Sequence, residues 1–91
     1  MPVVFIKVYG KVQGVFFRQS TAAVANELGI TGFVLNAGDG TVEITAQSTQ
    51  EKLNEFINWC HHGPERARVD KVETNNVSAN LSFDSFEIRY R

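Results

Sequence analysis

The spacing of apolar residues switches from the strand period to the helix period and back, twice, and this order limits the fold more than any other feature. Val3 to Gly10 is rich in β-branched and aromatic residues and reads as a strand; apolar side chains on both of its faces mark it as central. From Phe17 to Leu28 the period is helical, with Phe17, Thr21, Val24 and Leu28 on one face, Ala25 beside them and Gly29 in the C-cap position. Gly32 to Asn36 and Thr41 to Gln47 read as two further strands. In the second of these Val42, Ile44 and Ala46 face inward, and Thr41, Glu43, Thr45 and Gln47 outward. Between them, Asp39-Gly40 favours a tight hairpin turn in which both residues take positive φ. Ser48 and Glu51 have the spacing of a capping box for a second helix carrying Leu53, Phe56, Ile57 and Cys60 on one stripe, stopped by Gly63-Pro64. Val69 to Asn75 is a fourth strand, and Leu81 to Tyr90 supplies a fifth with Phe86, Ile88 and Tyr90 in alternation.

With right-handed crossovers this order gives an α+β fold, a ferredoxin-like βαββαβ sandwich. It has one antiparallel sheet with two helices on one face, plus an extra C-terminal strand, and leaves the other face partly open to water. The first and second strands then run the same way, so their C-terminal ends lie at one edge of the sheet. The segment from Lys11 to Phe17 leaves the first strand there, and Asn36 ends the second. Asn36 shares its parity with Val34, which points it to the helix-covered face. Topology alone thus gathers Arg18, the loop before the first helix and Asn36.

Composition narrows the class. With 91 residues the chain is expected to form a single domain over 1–91, and 43% hydrophobic with 21% charged residues is ordinary globular usage. A net charge of -1 argues against nucleic-acid binding by phosphate neutralisation. Cys60 is the single cysteine, so no intrachain disulfide can form. The apolar run Val3 to Ile6 is too short for a membrane span or a signal peptide. These features predict a cytoplasmic protein. Cys60 continues an apolar stripe and reads as a core thiol; neighbouring Cys60, His61 and His62 diverge on a helix, so no metal site is expected. Trp59 lies off the main stripe, Glu65 to Lys71 reads as a solvated charged stretch, and Asn75, Asn76 and Asn80 as turn formers.

The chemistry is concentrated in one loop. Gly10 and Gly14 let successive N–H groups converge just before a helix N-terminus, whose first amides have no partner inside the helix. An anion of phosphate size suits such a place. Arg18 adds a planar fork of donors matched to a phosphoryl group. A tight loop whose arginine makes a surface salt bridge remains the alternative. The loop has no Gly-Lys-Ser/Thr ending, and hence no lysine for a γ-phosphate and no hydroxyl for magnesium. By analogy with cysteine-dependent phosphatases, which place a thiolate at the start of an arginine-terminated phosphate loop, the equivalent position here is Val12, and Ser20 and Thr21 have no general base nearby in sequence. Binding, electrostatic stabilisation and orientation of water remain.

Gly10-Lys11-Val12-Gln13-Gly14-Val15-Phe16-Phe17-Arg18 resembles the first signature of the acylphosphatases. Gly32-Phe33-Val34-Leu35-Asn36 followed by Asp39-Gly40-Thr41-Val42 resembles the second, and Gly63-Pro64 with Ala67-Arg68-Val69 and Val72 a further stretch. The resemblance covers Val4 to the C-terminus. It implies hydrolysis of small-molecule acyl phosphates to a carboxylate and inorganic phosphate, with phosphate or sulfate as product-like ligands. It also implies that Arg18 binds the phosphoryl group together with loop amides of Gln13, Gly14, Val15, Phe16, Phe17 and Arg18, and that Asn36 holds the attacking water. No metal or other cofactor is implied, no nucleic acid or membrane partner, and a monomer is expected. The family often carries a basic residue where this chain has Leu35; strand parity turns Leu35 away from Asn36, so altered steering of substrates is expected and not lost chemistry.

Two other functions fit the same architecture. An RNA-recognition module stacks bases on aromatics of the open sheet face. Phe5 and Tyr9 suit that role, but Thr41, Glu43, Thr45 and Gln47 do not. A carbamoyl-phosphate-handling module belongs to larger maturation proteins, and the sequence offers no further domain of that kind.

Overall fold

Seven elements build the chain in the computed structural model, which describes residues 1–78 and 80–90: β1 (Val3–Lys11), α1 (Phe17–Leu28), β2 (Thr31–Asn36), β3 (Val42–Gln47), α2 (Gln50–Cys60), β4 (Arg68–Val77) and β5 (Phe86–Ile88). The sheet order is β4-β1-β3-β2-β5. β1 and β2 each pair antiparallel with β3, so they run in one direction and end at one edge. The four strands of the βαββαβ unit are antiparallel, as expected. The extra strand differs: β5 pairs parallel with β2, which makes the sheet mixed. β4 and β5 occupy the two opposite edges of the sheet.

Both helices cover one face. Val4, Ile6 and Val8 of β1, Val34 of β2 and Val42, Ile44 and Ala46 of β3 are buried against Phe17, Thr21 and Ala25 of α1 and Leu53, Phe56 and Cys60 of α2. Each large aliphatic or aromatic side chain removed from water in this way contributes about 1.5–3 kcal/mol. The other face is half open: Phe5, Lys7, Tyr9, Phe33, Leu35, Glu43 and Thr45 are partly exposed there.

Several local details depart from the sequence-based expectation. The cap of α2 is Thr49, whose hydroxyl accepts from the Lys52 amide at 3.3 Å; Ser48, one residue earlier, is buried. The β2–β3 connection is not a two-residue turn. Gly40 alone takes positive φ, at 90°, and the loop closes from Ala37 N–H to the Thr41 carbonyl at 2.9 Å. Asp39 acts through its carboxylate instead, which accepts from the Thr41 amide and hydroxyl, and Thr41 is buried and not outward-facing. Asn75 and Asn76 are not turn residues: they continue β4, opposite Phe5 and Val4. The charged stretch before them is strand from Arg68 onward, and its side chains form the surface pairs Arg68–Asp70 and Lys71–Glu73. β5 is far shorter than Leu81 to Tyr90. Phe86 is buried, while Tyr90 lies beyond the strand and is 74% exposed.

Candidate functional site

β1 ends in a bulge between Tyr9 and Gly10. Gly10 has φ 128°, and a Cβ there would stand 2.1 Å from the Arg68 carbonyl oxygen, so only glycine lets β4 pass this close. The chain then dives inward. Val12 and Val15 are buried and anchor the loop, while Gly14 takes φ 75° and Phe16 takes φ 62°. A bulky residue in the left-handed region costs about 1–2 kcal/mol. Phe16 is also the N-cap of α1, and its side chain gives the helix no capping hydrogen bond; the first turn holds no acidic residue. The helix therefore starts with unfilled donors and an uncompensated positive end.

Around this start lies a cleft of about 180 Å³ lined by Val12, Gly14, Phe16, Phe17, Arg18, Gln19 and Asn36. That is several times the roughly 30 Å³ a water occupies in the liquid. Arg18 and Asn36, distant in sequence, thus share one pocket, as strand parity requires. Val34, two residues before Asn36, is fully buried on the helix side, and Leu35, opposite Glu43, is on the open face. The Asn36 Oδ1 is buried and has no hydrogen-bond partner among the described residues. A buried acceptor left in this state costs about 1–3 kcal/mol unless water or a ligand meets it.

Two contacts at the site were not legible in the sequence. Gln13 was expected to contribute through its main chain; its side chain also donates, from Nε2 to the Ala37 carbonyl at 2.8 Å and to the Thr41 carbonyl at 2.9 Å. Tyr90 lies with its ring 4.8 Å from the Arg18 guanidinium carbon. A guanidinium stacked on a ring keeps its N–H groups free in its own plane. Phe17 begins α1 from inside the core, against Trp59 at 5.6 Å between ring centres. Trp59 in turn stacks on Phe56, so although off the main stripe it supports the helix that carries Arg18.

Other candidates lie elsewhere. Burial pushes the Cys60 thiol up to about 12, so it is not a ready nucleophile. Among the described residues no three of His, Cys, Asp and Glu are grouped to hold a metal ion. His62 Nδ1 lies 3.0 Å from the Asn58 carbonyl oxygen at the end of α2. On the open face Tyr9 donates to Glu73, with Lys7 and Lys71 near its ring, so it is tied into a charged cluster and is a poor platform for stacking bases. Among the described residues no helix is long and apolar enough to cross a membrane.

Comparison with known proteins shows the family and the fold. The family model described as Acylphosphatase matches residues 4–88. An acylphosphatase of Marinobacter nauticus is 49% identical over 79 residues, covering 87% of this chain and 86% of that protein. The crystal structure of acylphosphatase from Bacillus subtilis superposes with a TM-score of 0.95 at 30% identity, over 99% of this chain and 100% of that one. An acylphosphatase from Coxiella burnetii gives 0.92 at 34% identity, over 97% and 92%. The signature-like loop, the strand-end asparagine and the whole backbone path lead to one assignment: the chain belongs to the acylphosphatase family.

Proposed function

We propose that this enzyme hydrolyses the carboxyl–phosphate bond of small-molecule acyl phosphates by direct attack of an oriented water, with no metal and no covalent intermediate. The phosphoryl dianion sits in the cleft at the start of α1. Main-chain N–H groups of Gln13 to Arg18 and the Arg18 guanidinium hold its oxygens and stabilise charge that builds on them during transfer. Asn36 holds the nucleophile: a water donating one hydrogen to the buried Oδ1 turns a lone pair toward phosphorus. The bond from the acyl oxygen to phosphorus breaks, and the acyl oxygen leaves as a carboxylate. That is a weak base, so no general acid is needed, and a phosphoryl oxygen takes the water proton. The observation that carries this reading is the unpartnered Asn36 Oδ1 beside an uncapped helix start and an arginine. We place the enzyme as a monomer in the cytoplasm, with inorganic phosphate as its product-like ligand.

Hydrolysis of benzoyl phosphate in ¹⁸O-water, with a chelator present, tests the reaction. One labelled oxygen in inorganic phosphate and none in benzoate supports attack at phosphorus. Label in benzoate, or activity that needs an added divalent ion, contradicts it.

A further inference from the structure

We propose that the Gln13 side chain is a positioning residue that sets the phosphoryl seat against the water holder, by clasping the turn that follows Asn36. The proposal rests on the roles given above to the loop and to Asn36. The two halves of the site come from different parts of the chain. One is the loop 12–16, the other the end of β2 with the turn 37–41. Among the described residues no backbone hydrogen bond outside the regular elements joins them. The Gln13 amide does. Its Nε2 donates to the carbonyls of Ala37 and Thr41, at 2.8 and 2.9 Å. Those carbonyls are the two ends of the turn, already closed on itself from Ala37 N–H to the Thr41 carbonyl. Both protons of one nitrogen thus grip both ends of one loop, and Ala37 follows Asn36 directly in the chain.

The chemistry of the side chain fits this task. Both partners are acceptors, so only the –NH₂ end of the amide can face them. The same residue lies within the loop assigned to the phosphoryl group. A shift of Gln13 relative to the turn therefore moves the phosphoryl seat relative to the Asn36 carboxamide. A displacement of about 1 Å between reacting groups costs up to about a hundredfold in rate. The clasp acts on the distance between two bound groups, and not on the binding of either one.

Gln13→Met keeps the length of the side chain and removes both donors. Gln13→Asn keeps the donors but is one methylene short, and serves if the methionine variant does not fold. Each is measured with benzoyl phosphate alone and in the Asn36→Ala background, with the inhibition constant of inorganic phosphate and the urea midpoint alongside. The expected result is a fall in kcat of roughly tenfold or more with phosphate inhibition within about twofold. In the Asn36→Ala background the same change moves kcat by less than about twofold, because the group it positions is gone. An unchanged kcat, a fall of equal size in the Asn36→Ala background, or a loss confined to phosphate affinity overturns the proposal. Full turnover in Asn36→Ala alone overturns the reading of the site itself, and the clasp with it. Impaired Asn36→Ala beside fully active Gln13 variants removes the clasp only.

Discussion

The Arg18 guanidinium carbon stands 4.8 Å from the centre of the Tyr90 ring. Tyr90 reaches it because β5 lies beside β2 in parallel, and the Arg89 amide donates to the Val34 carbonyl at 2.8 Å just past the strand end. The chain past β5 thus approaches the pocket from the side of β2, its contact at Val34 lying two residues before Asn36.

A cation held on an exposed ring gains about 0.5–1 kcal/mol. Tyr90→Leu is therefore expected to weaken competitive inhibition by inorganic phosphate about two- to fivefold, with Tyr90→Phe near the parent value. Inhibition constants for the three proteins check this. Equal values would show that Arg18 needs no such support.

Gly63 takes φ 68°, and a Cβ there would lie 2.6 Å from Phe17 Cε2. Phe17 is buried at the first turn of α1 and cannot swing away cheaply. Gly63→Ala combines left-handed strain with overpacking, and is expected to destabilise by about 1–3 kcal/mol. Urea unfolding of parent and variant measures it. An unchanged midpoint would contradict the packing described here.

Asp39 accepts from the Thr41 hydroxyl and amide and pairs with Lys7 at 3.0 Å. Thr41 first, then Lys7, holds its carboxyl well below its ordinary value of 3.8. A depressed carboxyl stabilises the fold fully above the unfolded value, and that contribution is lost as pH falls toward the folded one. The stability gap between the parent and Asp39→Asn is therefore expected at neutral pH and should shrink steadily below about pH 4. Thermal melts from pH 7 to pH 2 read this directly. A gap that widens in acid would mean the sign is wrong.

The pocket's make-up is legible in the sequence where it follows from a period: counting from Val34 along a strand turns Asn36 to the helix-covered face, and two glycines mark the loop ahead of the first helix. What the sequence hid depends on neighbours distant in the chain. The Gln13 side chain leaves an irregular loop, where no period fixes its direction, and its acceptors are carbonyls that any residues supply. The parallel docking of β5, and with it the position of Tyr90, follows from packing at the sheet edge and not from local alternation. Asn75 and Asn76 favour turns locally, but pairing with β1 overrides that preference. Thr49 and Ser48 are adjacent and equally able to cap, so only the fold chooses between them.

The division of labour proposed for Arg18 and Asn36 is tested most directly by Asn36→Ala assayed on benzoyl phosphate and on inorganic phosphate as inhibitor. Loss of one oriented polar group of this kind costs about 10²–10³ in rate. The account predicts a fall in kcat of at least that size with phosphate inhibition nearly unchanged, while Arg18→Ala loses both. Full turnover in Asn36→Ala, or a loss that appears wholly as weaker phosphate binding, would contradict it.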